Sequence, residues 1–155
     1  MADSVSATRI MNAPAEVIFG VIADPASHAA IDGTGWVREP VEGELLTAPG
    51  QIFRISMYHV NHPNGDYQMA NRVQLFDPPS TISWEPGNDA DDGTLRFGGW
   101  IWRYDLIPDG PSKTTVTLTY DWSAVPESVR EHIAFPPFSP EHLGNSLIHL
   151  GELAS

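Results

Sequence analysis

The stretch that most constrains this chain runs from Phe97 to Trp122, where large aromatic residues recur at every second position of two adjacent segments. Side chains two apart in a strand share a face, so Trp100, Trp102, Tyr104 and Leu106 fall on one side, and Ile101, Arg103 and Asp105 on the other. In the partner segment Val116, Leu118, Tyr120 and Trp122 share a face, opposite Thr115, Thr117, Thr119 and Asp121. Between them, Pro108-Asp109-Gly110-Pro111-Ser112 supplies a fixed φ and a residue tolerant of positive φ, which predicts a hairpin. Each large aromatic buries roughly 150–250 Å². The aromatic face therefore needs a cover, and how completely it is covered is the functional question.

The rest of the chain supplies sheet and cover. Val5 to Met11 can form a first strand. Asn12-Ala13-Pro14-Ala15-Glu16 opens a helix, with proline in its first turn, an acid near the positive end of the dipole, and a buried stripe of Val17, Ile18, Val21 and Ile22. Asp24-Pro25 ends it and caps a second short helix through about Ala30. Strands are predicted for Trp36 to Glu44, Gln51 to Val60, Tyr67 to Phe76 and Thr81 to Glu85. In the second of these Phe53, Ile55, Met57 and His59 share a face; in the third Tyr67, Met69, Asn71, Val73 and Leu75 do; in the last Ile82 and Trp84 do. Pro86 to Gly93, with three aspartates, reads as a solvated loop. After Trp122 the period changes. Pro126-Glu127 starts a helix, Phe135-Pro136-Pro137-Phe138 interrupts it, and Ser139-Pro140-Glu141 restarts it ahead of a stripe of Leu143, Leu147, Leu150 and Ala154. His142 and His149 flank that stripe on a solvated side.

Seven strands in all, most joined by short turns, imply an antiparallel sheet, and the terminal helix is the one element long enough to cover its aromatic face. The expected class is α+β, a curved sheet of about seven strands around a long, proline-broken C-terminal helix. At 155 residues the chain, 1–155, makes a single domain that buries about 68–70% of its unfolded surface. The charge of −12 repels phosphate backbones and anionic headgroups, so nucleic-acid binding and stable membrane docking are not expected. With no cysteine there is no disulfide framework or thiolate chemistry. The first residues lack a basic start followed by an apolar run, and the simplest expectation is a cytoplasmic monomer or homodimer.

The pattern resembles the START-like (SRPBCC) superfamily, specifically its polyketide cyclase/dehydrase and lipid-transport branch. The resemblance is carried by Ala13-Pro14-Ala15-Glu16-Val17 with Asp24-Pro25, by Asp77-Pro78-Pro79 through Trp84-Glu85, and by Trp102-Arg103-Tyr104. It continues through Val116 to Trp122 and from Phe135 to Leu143, with Ser146-Leu147 in the last helix. It implies a helix-grip fold with a cavity between sheet and terminal helix that holds an apolar or amphipathic small molecule. It implies no particular reaction, because the superfamily includes carriers, receptors and enzymes.

The expected lining is Phe53, Ile55, Met57, His59, Tyr67, Met69, Asn71, Trp84, Trp100, Trp102, Tyr104 and Tyr120: a mostly apolar wall with a few hydrogen-bonding groups. The alternative is that these rings fill a solid core. Were the protein a cyclase or dehydratase, His59 would be the acid/base group, helped by Tyr67 and Asn71, with His28 a second candidate. No paired acid or nucleophile stands beside either histidine, so a structural imidazole is the simpler reading of both. A third reading is a chaperone-regulator type of interaction module that docks through its acidic surface. His59-Val60-Asn61-His62 has a metal-like spelling, but a strand followed by a turn need not bring the two rings together, and no metal is expected. Neither is a cofactor, since phosphate loops, nucleophile elbows and dinucleotide fingerprints are absent and Gly98-Gly99 sits in a strand as a bulge. The Phe135–Phe138 break is a kink that follows the curved sheet or a portal to its cavity.

Overall fold

The computed structural model describes residues 4–31, 37–40, 45–58, 66–89, 94–97, 99–131 and 141–154. The elements run β1 (Ser4–Met11), α1 (Ala15–Ile22), a 3-10 turn (Pro25–Ser27), α2 (His28–Ile31), β2 (Val37–Pro40), β3 (Ile52–Tyr58) and β4 (Asp66–Asp77). They continue with β5 (Thr81–Asp89), β6 (Leu95–Phe97), β7 (Ile101–Pro108), β8 (Thr114–Asp121), α3 (Glu127–Arg130) and α4 (His142–Ala154). All pairings are antiparallel, in the order β1-β8-β7-β5-β4-β3-β2, with β6 beside β5. The described sheet thus has eight strands rather than about seven.

The extra strand has a physical origin. The aromatic segment does not run on from Phe97 but breaks at Gly99, which adopts φ +97° in a bend between β6 and β7. A Cβ there would lie 2.7 Å from the Ala124 carbonyl oxygen and 3.0 Å from Val125 Cα, so glycine lets the bend pack on the backbone that follows β8. The expected in-strand bulge at Gly98-Gly99 is instead, at Gly99, the junction of two strands. β5 likewise continues to Asp89 instead of ending at Glu85. On the side away from β4, its partner is β7 from Thr81 to Trp84 and β6 from Gly87 to Asp89. Pro86 is opposite Asn71 of β4, and on the other side it falls in the interval between the two pairings, where a residue lacking an N–H is tolerated.

The hairpin β7–β8 keeps register through eight pairs, from Ile101↔Asp121 to Pro108↔Thr114. Val116, Leu118, Tyr120 and, just beyond the strand, Trp122 are buried, as are Tyr104 and Leu106 across from them. β4 does not alternate so simply. Val73 pairs with Trp84 and Leu75 with Ser83, so Gln74 is an extra residue and every side chain beyond it changes face. Leu75, expected inside, is 43% exposed. Phe76 turns inward instead and meets Phe19 edge-on, with 5.3 Å between ring centroids. The Ser83 hydroxyl accepts the Leu75 N–H at 3.2 Å, satisfying an amide at the bulge.

The helices divide the cover. α4 buries Leu143, Leu147, Leu150 and Ala154, and packs against β1, β8, α1 and α2. Each fully buried leucine contributes about 1.5–3 kcal/mol. α1 starts just after Pro14, whose carbonyl accepts the Val17 and Ile18 N–H groups at 3.1 and 3.2 Å. Its buried residues are Ala15, Ile18, Phe19 and Ile22, while Val17 is 46% exposed. The helix is apolar nearly all round, so periodicity could not choose its face; contact with Phe76 does. Asp24 caps the next turn by accepting the Ala26 N–H at 3.0 Å. Among the described residues no helix is long and apolar enough to cross a membrane. The Phe135–Phe138 break lies outside the described residues.

Candidate functional site

The inward face of the sheet is a lattice of registered side chains. Tyr120, Trp102 and Trp84 stand side by side across β8, β7 and β5, and the next row is Leu118, Tyr104 and Ile82. On β4 and β3, Asn71 opposes Phe53 and Met69 opposes Ile55. Phe53, Ile55, Asn71, Tyr104 and Tyr120 are buried, whereas Met69, Trp84, Trp100 and Trp102 are half-buried. Met57 and Tyr67 form a backbone pair between β3 and β4. His59 and His62 lie outside the described residues.

The rings gather in two groups. In the first, Trp102 lies 4.6 Å from Tyr120, and Tyr120 lies 5.8 Å from Trp122. His142, from the first turn of α4, meets Trp102 edge-on at 5.7 Å and 84°. In the second, Trp84 lies 6.0 Å from Tyr104 and meets Phe53 edge-on at 5.7 Å. His28, from α2, stacks on Trp84 at 5.1 Å and 16° and presents itself to Phe53 at 5.6 Å and 82°. Each group therefore receives an imidazole from a covering helix.

His142 departs from expectation, whereas His28 is the buried, backbone-bonded imidazole that was the simpler reading. His142 is not on a solvated flank: it is 6% exposed, beside Leu143 at 3%. The buried stripe of α4 is two residues wide, pairing His142 with Leu143 and Ser146 with Leu147. Those i, i+4 positions are readable in the sequence once the stripe is given its usual breadth. His149 instead donates through Nδ1 to the Ile31 carbonyl at 3.1 Å and ties α4 to α2. His28 is 9% exposed and donates through Nε2 to the Ile22 carbonyl at 2.8 Å. Burial holds its imidazole below the ordinary value, outweighing the Ile22 carbonyl and the Asp24 carboxylate, which work the other way. Its position, one turn after a capped Asp24-Pro25, is the signal that could have placed it against the sheet.

The polar groups of the face are mostly committed. The Asn71 side-chain amide donates to the backbone carbonyl of Phe53 at 3.3 Å. Burial pushes the Tyr120 phenol above its ordinary value, so it stays protonated at neutral pH. None of the inward residues named here on β3, β4, β5, β7 and β8 is charged. The ion pairs Arg72–Glu85, at 2.8 Å, and Arg103–Asp105, at 2.9 Å, belong to the other face, where Arg72 also lies 4.2 Å from the centre of the Phe97 ring. Among the described residues no three His, Asp or Glu side chains converge as a metal site would require. The arrangement suits recognition of a largely apolar molecule by ring faces, with few groups free for chemistry.

Comparison with known proteins bears on the fold. No protein-family model matches the chain. It is 29% identical over 112 residues to an uncharacterised protein of Mycobacterium tuberculosis strain H37Rv, a match covering 72% of this chain and 44% of that protein. A second uncharacterised protein, from strain CDC 1551, is 28% identical over the same length. The chain thus spans less than half the length of the curated relatives it matches. Among solved structures it is similar to an Arthrobacter aurescens protein, with TM-score 0.71, 13% identity, and 99% of this chain and 86% of that one covered. It is similar to a Chromobacterium violaceum protein with TM-score 0.67, 18% identity, and coverage of 99% and 98%. It is also similar to a point mutant of Thalictrum norcoclaurine synthase in complex with a transition-state analogue, with TM-score 0.62, 15% identity, and coverage of 97% and 92%. At these identities the likeness concerns the fold, which is of the helix-grip kind.

Proposed function

We propose that this chain is a START-like domain that binds a hydrophobic or amphipathic small molecule between the inward sheet face and the covering helices, as a non-catalytic carrier or sensor. One observation carries the reading. On the same inward face, Val73, Ile82, Val116 and Leu118 are almost completely buried, while Trp84, Trp100 and Trp102 keep part of their surface open to solvent. Large rings held inward at a strand's fixed spacing and still accessible are what an apolar guest would cover. The lack of charge on the inward residues favours a neutral guest, since a buried unpaired ion is costly. The transition-state analogue bound in the norcoclaurine synthase structure supports the idea that this fold accommodates a small organic molecule.

Native mass spectrometry of the purified protein tests the reading directly: a co-purifying mass removed by organic extraction is expected. The extracted protein should then enhance Nile red fluorescence, and Trp102→Ala should weaken that binding about tenfold or more. A clean mass with no dye binding by the extracted protein would refute it.

A further inference from the structure

Resting on that reading, we infer that His28 is the polar anchor of the site, and that its Nδ1 accepts a hydrogen bond from a hydroxyl or N–H group carried on a flat, unsaturated guest. The argument begins with the tautomer. Nε2 lies 2.8 Å from the Ile22 carbonyl oxygen, which can only accept, so Nε2 must carry the proton. In a neutral imidazole the other nitrogen is then a bare lone pair. Among the described residues no donor serves Nδ1, and the residue is only 9% exposed. A nitrogen acceptor in an apolar wall is costly to leave unserved, and a guest that serves it gains accordingly.

The geometry also selects the shape of the guest. An sp² nitrogen accepts in the plane of its ring, and the His28 ring lies within 16° of the Trp84 plane at a centroid separation of 5.1 Å. A donor reaching Nδ1 therefore arrives nearly parallel to the indole, which favours a planar skeleton that lies along Trp84 over a branched or saturated one. Phe53, edge-on to both rings, closes one side. The groups that bear on His28 are the Asp24 carboxylate on its own side and the uncharged Phe53 and Trp84 from the sheet. His28 thus acts in recognition, by accepting a hydrogen bond, and the guest keeps its proton.

The test compares 2-naphthol with 2-methoxynaphthalene, which has the same skeleton and no donor, by calorimetry on the extracted protein. Wild type should bind 2-naphthol about tenfold more tightly, and His28→Phe, which keeps a ring on Trp84, should bring the ratio close to one. Because that variant also loses the bond to Ile22, the ¹⁵N resonance of His28 Nδ1 in wild type is followed as well; it should move with 2-naphthol and stay still with the ether. Equal affinities, or an Nδ1 signal unmoved by saturating 2-naphthol, would overturn the anchor and leave the binding site standing. Failure of both naphthalenes and Nile red to bind would remove the site itself, and the anchor with it.

Discussion

The two halves of the sheet follow different rules. In one half β7 and β8 pair without interruption, and burial along β8 alternates strictly from Thr114 to Asp121. Under α1 and α2, β4 carries an extra residue at Gln74, β5 changes partner near Pro86, and an outward leucine neighbours an inward phenylalanine. Both halves present aromatic rings to the interior, and both receive a histidine from a helix. The difference teaches that period-two patterning is trustworthy only while register holds on both sides of a strand. One added residue inverts everything downstream of it.

The contrast can be broken hardest where the halves meet. Gly99→Ala would combine positive φ with a Cβ inside contact distance of the Ala124 backbone, and should destabilise by about 3–5 kcal/mol in chemical denaturation. A loss below about 1 kcal/mol would mean the β6–β7 bend is not as described. In the regular half, Leu118→Ala should cost about 3 kcal/mol, within the range for large-to-small changes at fully buried positions.

The irregular half has a chemical signature of its own. His28 is held neutral by burial in the folded chain, whereas in the unfolded chain it takes up a proton near its ordinary value of 6.5. Below that pH the unfolded state binds the additional proton, so stability falls as pH drops, by up to about 1.4 kcal/mol per pH unit. Above it the contribution is fully present. His28→Phe should flatten this part of the stability–pH curve, and an unchanged slope would place the titration elsewhere. The smallest effect is the most diagnostic of register: Leu75→Ser should shift stability by no more than about 0.5 kcal/mol, while Phe76→Ala should cost about 2 kcal/mol. The reverse order would restore plain alternation through β4 and remove the bulge.

Much of this was readable in the chain. The hairpin faces, the capped turn at Asp24-Pro25 and the leucine stripe of α4 follow from local spacing, because each depends on residues within a few positions of one another. The inward placement of Phe53, Trp84, Trp102, Tyr104 and Tyr120 follows from the same alternation. The buried face of α1, the partner switch of β5 and the role of His28 were not readable. Phe19 and Val17 are equally apolar, and only Phe76, carried inward by a bulge on a distant strand, distinguishes them.

By itself, then, the order of residues determined an antiparallel sheet with one aromatic face and a helix shaped to lie over it, since periodicity and turn chemistry act over short spans. Only the tertiary structure decided which helix covers which rings and which rings each buried histidine meets. Those choices depend on contacts between segments far apart in the chain, where register, strand breaks and the competition of similar apolar side chains for one surface are settled together.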